Sequence, residues 1–290
     1  MLGKVIRNSC MVIKSLLGVM NIIRVHSRIV RKSSEKADLF VLGNGISTVG
    51  FLKKNVEDIQ YKDVLCVNSF LNTEWFSVIK PRYCVLIDPL YFRVEDLPKH
   101  AQKEVLQTKA SLLEKTNWPL YLYVPHYVKQ SDFSKEMKAN KNIKLTYIPL
   151  VSFAGFHSMK IFLMRRGLCM PHSQNVLVAS LFLSLFLGYS NIYLIGGEHD
   201  WAKTMYVDDK NFVRYKPGHF YDENKENKIF LDQTDQPDHI GDVLEKLALM
   251  FRGYEEVAEM TACFHANIYN ITPNSFIDAF PRANIDAWRT

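Results

Sequence analysis

The hydrophobic residues of this chain occur in short runs, most of which are not interrupted by polar residues. Seven such runs lie at 38–42, 64–67, 83–87, 120–124, 143–148, 192–195 and 267–271. Unbroken runs predict strands that are buried on both faces of a mostly parallel sheet. The apolar segments 175–187 and 241–259 have the length of helices. The pattern predicts an α/β fold, an open and mostly parallel Rossmann-like sheet with helices on both faces and a lid insertion.

The lid is predicted at about 198–239, where the chain is rich in charged and aromatic residues. A connection of this length is uncommon in a compact domain unless it serves a function. Because it begins where a strand ends, we expect it to fold over the crevice in which α/β sheets bind ligands. The alternative is a surface excursion with no catalytic part. The α/β domain as a whole is predicted at 37–290.

Residues 1–36 carry a basic charge that the rest of the chain lacks. They hold eight of the 36 Lys and Arg residues and one of the 30 acids, which leaves 28 bases and 29 acids in 37–290. Since this body is almost neutral, no nucleic-acid partner is expected. Residues 1–36 predict an amphipathic helix whose apolar runs are too short to span a bilayer. The helix either makes peripheral contact with an anionic membrane through residues 1–32 or packs on protein.

The five cysteines are scattered, and no two stand in Cys-x-x-Cys spacing. They are expected to be reduced, mostly buried thiols. No small-residue cleavage site of a secretory signal follows the basic segment. The predicted location is therefore cytoplasmic, and peripheral at the inner face of the cytoplasmic membrane if the basic helix binds lipid.

Polar and glycine residues follow several predicted strands at their carboxyl ends. They are Asn44, Gly45, Asn68, Asp88, Gly197, Glu198 and Asn274. The carboxyl ends of parallel strands meet at one edge of a sheet, so these residues are expected to converge on one crevice. The Gly-Asn-Gly-Ile-Ser segment at 43–47 presents backbone amides at a helix start, which suits a phosphate or a ribose. It matches neither the dinucleotide fingerprint nor the Walker loop. We therefore expect the segment to bind a nucleotide, but it does not indicate which class of nucleotide.

Two further groups carry candidate chemistry. His219 lies in the middle of the predicted lid, and a histidine there titrates near neutrality and can accept a proton from an attacking hydroxyl. Glu198, His199 and Asp200 are possible metal ligands, but consecutive residues rarely all point to one ion. We therefore expect no metal and no cofactor. Instead, one or two of the three are expected to hold ribose hydroxyls or the substrate.

Four segments, in order, resemble the Campylobacter-type bacterial sialyltransferases. The loop at 43–47 resembles their Gly-Asn-Gly-Pro-Ser, and Asn68 with its neighbours resembles Cys-Asn-Gln-Phe. Residues 187–196 resemble their helix-to-strand segment that leads to Gly-Ile-Asp, and 269–275 resemble Tyr-Cys-Leu-Cys-Pro-Asn-Ser. The chain is also similar to uncharacterised polysaccharide-cluster proteins and to archaeal-type hydroxymethylpterin diphosphokinases. It departs from the sialyltransferases at Ile46, at 196–198 and at 172–174.

The resemblance implies a metal-independent transferase that moves an acidic sugar, sialic acid or Kdo-like, from a CMP-sugar donor to a surface glycan or glycolipid acceptor. It implies polysaccharide or lipopolysaccharide biosynthesis as the setting. In the lid, residues 215–219 are the nearest match to the family's Tyr-Ile-Gly-His and are one residue longer. This resemblance implies His219 as the base and Tyr215 as the residue near the leaving phosphate. The implied nucleotide and substrate contacts are Asn44, Gly45, Ser47, Asn68, Ser173, Thr272, Asn274 and Ser275. Two alternatives stay open: a Mg²⁺-dependent pterin diphosphokinase using Asp88, Glu198 and Asp200, and a non-catalytic nucleotide-binding protein.

Overall fold

The computed structural model describes residues 2–24, 29, 36–93, 99–216, 228–231, 236–284 and 286–289 of the 290-residue chain. In this part the α-helices are α1 Leu2–Arg24, α2 Ile46–Ile59, α3 Trp75–Ile79, α4 Lys99–Ala110, α5 Asp132–Met137, α6 His157–Arg165, α7 Val176–Phe186 and α8 Ile240–Phe264. The strands are β1 Lys36–Leu42, β2 Asp63–Val67, β3 Tyr83–Val85, β4 Leu120–Pro125, β5 Ile143–Ile148, β6 Tyr189–Ile195, β7 Tyr206–Val207, β8 Val213–Tyr215, β9 Lys228–Ile229 and β10 Asn267–Asn270.

Seven strands form one sheet in the order β10-β6-β1-β2-β3-β4-β5. Every neighbouring pair in this sheet is parallel. The chain builds outward from β1 to β5 and then returns to place β6 on the other side of β1. The strand order therefore changes direction at β1, which is where open α/β sheets bind ligands. The predicted Rossmann-like α/β fold with a parallel sheet is confirmed.

The sheet is buried on both faces, as its unbroken apolar runs predict. Successive side chains of a strand point to opposite faces. In β1, Leu39 and Val41 pack into one core layer with α7 and α8, while Phe40 and Leu42 pack into a second layer with α2. All four side chains are fully buried. Burying an apolar side chain of this size contributes about 1.5–3 kcal/mol, so the two layers are the main stabilising feature of the sheet.

The predicted strands and helices agree with the observed ones to within a few residues at most ends. The third strand ends at Val85, two residues earlier than predicted, because Asp88 and Pro89 begin a short 3-10 helix there. Within the predicted lid, β7, β8 and β9 form a separate antiparallel sheet. Residues 217–227 and 232–235 lie outside the described residues, so closure of a lid over the crevice stays a prediction. Cys66, Cys84, Cys169 and Cys263 are free thiols.

Candidate functional site

A cavity of about 190 Å³ opens at the point where the strand order reverses. The residues that follow β1, β2 and β6 form its wall, together with the first turn of α7. Asn44, Gly45, Asn68 and Glu198 line it, as does Trp201 from the start of the predicted lid. The structure thus brings together Asn44, Gly45, Asn68 and Glu198, which follow three different predicted strands in the sequence.

The two loops that follow β1 and β6 are bound tightly to each other. The N–H of Gly43 donates to the carbonyl of Ile195 at 2.8 Å, and the N–H of Gly45 donates to the carbonyl of Gly196 at 3.0 Å. Gly196 has a φ of +79°, which favours glycine. A β-carbon on Gly43 would overlap the Gly196 carbonyl oxygen. Glycine is therefore required at these positions for the close approach of the two backbones.

Glu198 reaches across this junction to the start of α2. Its Oε1 accepts a hydrogen bond from the backbone N–H of Ser47 at 2.7 Å, in the first turn of the helix. The partial positive charge of a helix N-terminus stabilises a carboxylate there. Glu198 is 9% exposed, and a β-carbon on Gly45 would overlap its Oε2. The glycine at 45 is thus what lets the carboxylate reach this position.

Three residues of the cavity wall, and Ser47 in the first turn of α2 behind it, each have a buried polar atom with no hydrogen-bond partner among the described residues. These atoms are Asn44 Oδ1, Ser47 Oγ, Asn68 Oδ1 and Glu198 Oε2. Buried polar atoms in proteins nearly always have a partner, and one left without costs about 1–3 kcal/mol. Three of the four accept hydrogen bonds only, and the hydroxyl can also donate. The site is therefore suited to a ligand that carries several hydroxyl or amino donors.

A second helix N-terminus opens at the same cavity. Asn175 is the N-cap of α7, and its Oδ1 accepts a hydrogen bond from the N–H of Leu177 at 2.7 Å. Asn175 lines the cavity, whereas the predicted contact Ser173 bonds its hydroxyl to the Pro171 carbonyl and does not line it. Asparagine immediately before a long apolar run is a typical N-cap, and this signal points to residue 175.

The hydroxyls of Thr272 and Ser275 hydrogen-bond to the backbone at the end of β6 and in the loop that follows it. The Thr272 hydroxyl lies 3.3 Å from both the Gly197 N–H and the Leu194 carbonyl, and the Ser275 hydroxyl donates to the Gly197 carbonyl at 2.5 Å. Both side chains are buried, and neither they nor Gly197 line the cavity. Asn274 is exposed in a turn with a φ of +53°. In this structure the segment supports the loop that carries Glu198.

Asp88 and Tyr215 lie outside the cavity wall. The Asp88 carboxylate accepts a hydrogen bond from the Leu90 N–H at 3.0 Å. Burial raises the pKa of Asp88, the Leu90 hydrogen bond opposes the rise, and Glu104 adds to it. Tyr215 lies in β8 and packs on Phe230 with ring centroids 4.2 Å apart. The connection from β8 to β9 that contains His219 lies outside the described residues, so its predicted role stays a prediction.

The three consecutive side chains at 198–200 contact three different partners. While Glu198 bonds to Ser47, the His199 Nε2 lies 2.6 Å from the Tyr254 hydroxyl, and Asp200 lies 3.8 Å from Lys203. His199 also stacks on Trp201, with ring centroids 4.6 Å apart. In the described part of the chain, no group of three or more His, Cys, Asp or Glu residues is arranged to hold a metal ion.

Comparison with solved structures shows a similarity of fold. No protein-family model matches the chain, and no curated protein matches it. Among solved structures it is similar to the MAf glycosyltransferase from Magnetospirillum magneticum AMB-1, with 15% sequence identity and a TM-score of 0.48. The match covers 90% of this chain and 36% of the other, so this chain spans about a third of that protein's length. At this level the similarity describes topology alone, and the resemblance to sialyltransferases is carried by the four sequence segments.

Proposed function

We propose that this protein is a glycosyltransferase that takes an acidic sugar from a CMP-sugar donor and transfers it to a glycan or glycolipid acceptor. The observation that carries the proposal is the set of buried, unpartnered polar atoms of Asn44, Asn68 and Glu198 in the cavity wall, with that of Ser47 beside them. Ribose hydroxyls and the amino group of cytosine are donors that match these acceptors. The resemblance of the segments around Asn44, Ser47 and Asn68 to the nucleotide loop of sialyltransferases supports the same assignment.

The charge at the cavity favours a nucleoside monophosphate over a diphosphate. Two helix N-termini, of α2 and α7, face the cavity, and such ends attract anions. The carboxylate of Glu198 already lies on the Ser47 N–H at the first of them. One helix end is left for one phosphate group, and a second phosphate would lie next to a carboxylate. CMP-activated sugars carry a single phosphate and fit this arrangement.

In the proposed reaction the acceptor hydroxyl attacks the anomeric carbon of the donor. A carbon–oxygen bond forms to the acceptor while the bond to the CMP phosphate breaks, and CMP leaves with the electron pair. His219 takes the proton of the acceptor hydroxyl, and backbone amides with Tyr215 stabilise the departing phosphate. The assignments of His219 and Tyr215 follow from the sequence resemblance alone.

Thermal unfolding in the presence of nucleotides tests the proposal. CMP, CDP, UDP, GDP, ATP and NAD are each added with and without Mg²⁺, because only a ligand of the native state raises the Tm. CMP is expected to raise the Tm without metal, by a stabilisation of about 2.7 kcal/mol at a hundredfold excess over Kd. Stabilisation by ATP with Mg²⁺ alone would instead indicate a diphosphokinase. If none of the six raises the Tm, the proposed nucleotide site is wrong.

The variant Glu198→Gln tests the charge argument separately. Wild-type protein is expected to bind CMP more tightly than CDP, by about tenfold or more, because the extra phosphate of CDP meets the Glu198 carboxylate. The amide of glutamine has the same size and no charge, so this preference should shrink or reverse in the variant. Titration calorimetry with the two nucleotides gives both affinities. An unchanged ratio in Glu198→Gln would show that this carboxylate does not select the phosphate number.

A further inference from the structure

Over residues 11–24, whose side chains the structure describes, helix α1 packs against the α/β domain through one side. Ser15, Val19 and Ile22 are buried, and the Ser15 hydroxyl lies 3.3 Å from the Ala154 carbonyl. A β-carbon at Gly18 would meet the side chain of Val151, so α1 lies directly on the segment before α6. This side of α1 therefore packs on the chain's own α/β domain. The opposite side of α1 takes no part in this packing.

The opposite side of α1 is also apolar, and it faces solvent. A helix has about 3.6 residues per turn, so positions 13, 16, 17, 20 and 23 form a stripe away from the buried residues. Their side chains are Ile13, Leu16, Leu17, Met20 and Ile23, which are between 43% and 63% exposed. A helix on the surface of a soluble domain normally carries polar residues there. A contiguous exposed apolar stripe of this kind marks an interaction surface.

Further exposed apolar residues lie on α6, which follows the segment that holds α1. The segment that holds α1 leads directly into Phe156, which is 85% exposed, and Met159 and Phe162 follow at helical spacing with 46% and 48% exposure. The guanidinium of Arg166 lies 4.2 Å from the centre of the Phe162 ring. Aromatic residues beside arginine are typical of the boundary between apolar and charged surroundings. These residues and the exposed stripe of α1 are called the α1–α6 surface below.

The charge of the α1–α6 surface is of one sign. Residues 2–24 and 151–170 contain no Asp or Glu, and they contain seven Lys and Arg residues. Lys14, Arg24, Arg165 and Arg166 are exposed. The acids nearest to α6 belong to α8, where Glu256 pairs with Lys160 and Glu259 lies 3.7 Å from His157. These pairs lie on the side of α6 that faces α8, so they do not neutralise the exposed arginines.

We propose that the α1–α6 surface binds an anionic lipid bilayer, with α1 lying in the plane of the interface. Apolar side chains enter the boundary of the acyl chains while the flanking Lys and Arg meet anionic headgroups. A second copy of this chain would bring two positive surfaces together without a carboxylate from these segments to pair them. Nucleic acid would leave the apolar stripe in water. No helix in the described residues has the length and apolar composition of a membrane span, which agrees with a peripheral mode.

The test is flotation of the full chain with vesicles of phosphatidylcholine, with or without about one third phosphatidylglycerol. The wild-type protein is expected to bind the anionic vesicles and to stay free of the neutral ones. Ile13→Glu with Leu17→Glu should lower the partition coefficient at least about 100-fold. Lys14→Gln with Arg166→Gln should lower it about 30-fold, since each basic residue near an anionic surface contributes about 1 kcal/mol.

Matched control variants lie elsewhere on the domain. Ile240→Glu with Leu244→Glu replaces two exposed apolar residues one turn apart on α8, and Lys53→Gln with Lys54→Gln removes two exposed charges from α2, on the other face of the sheet. Both are expected to bind as the wild type does, and thermal unfolding confirms that every variant is folded. Equal binding to both kinds of vesicle, or to neither, would overturn the proposal. So would a wild-type dimer in sedimentation that Ile13→Glu with Leu17→Glu dissociates, since this identifies the surface as a self-association face.

Discussion

Replacing Gly45 by alanine is expected to lower the affinity for CMP at least about 100-fold, a loss of about 2.7 kcal/mol. The backbone of Gly45 has a φ of −71° and a ψ of 159°, which any residue adopts, so the effect is not one of backbone strain. The added β-carbon would overlap Glu198 Oε2 and approach the Gly196 carbonyl to 2.7 Å. The carboxylate must then leave the Ser47 N–H, and the two loops that form the cavity must separate. Titration calorimetry with CMP measures the loss.

Gly50→Ala is the matched control for Gly45→Ala. Gly50 lies in α2, the helix that Gly45 caps, and a β-carbon there has no neighbour within 4 Å. Because alanine is the better helix former, this variant should be up to about 1 kcal/mol more stable in thermal unfolding and should bind CMP unchanged. The Gly45→Ala protein should remain folded and lose about 1–3 kcal/mol of stability to overpacking. Wild-type affinity for CMP in Gly45→Ala would place the nucleotide away from the glycine loop.

Most of the fold could be predicted from the sequence because its strands are buried on both faces. An unbroken apolar run such as 120–124 has one interpretation when helical segments lie between the runs, and β4 covers this run as Leu120–Pro125. The order of the strands in the sheet could not be predicted, because the return of β6 to the side of β1 leaves no local pattern. The buried side of α1 could not be predicted either, because its apolar residues cover a wide arc of the helix. Of Leu16, Val19 and Ile23, only Val19 is buried.

The candidate site could be predicted as a set of strand ends but not as a network of contacts. Asn44, Gly45, Asn68 and Glu198 converge because parallel strands end at one edge. The bond from Ser47 to Glu198 joins residues 151 positions apart, and no spacing in the sequence encodes it. A sequence motif also does not separate residues that line a cavity from those beneath it. Thr272 and Ser275 belong to the resembling segment, but their hydroxyls bond to the backbone of the loop above them.

Replacing His219 by alanine is expected to lower the rate of CMP release from a CMP-sugar about 10²–10⁴-fold and to leave CMP affinity nearly unchanged. A general base acts in the transition state. The residues of the cavity are expected to make the contacts that bind the nucleotide in the ground state, so CMP affinity should not depend on His219. CMP-sialic acid and CMP-Kdo serve as donors, and CMP release reports turnover even with water as acceptor. Loss of binding in proportion to the loss of rate would contradict the role of His219 as base.

His199→Ala tests whether His199 rather than His219 is the base. His199 is buried, and its Nε2 lies 2.6 Å from the Tyr254 hydroxyl. Its removal leaves that hydroxyl in the core without this partner, which should cost about 1–3 kcal/mol of stability. It also disturbs the wall next to Glu198, so CMP affinity should fall together with the rate. Tyr254→Phe is the matched variant, since it removes the hydroxyl and keeps the ring. If His199→Ala instead keeps its Tm and CMP affinity while turnover is lost, and His219→Ala remains active, then His199 is the base and the resemblance in the lid is misleading.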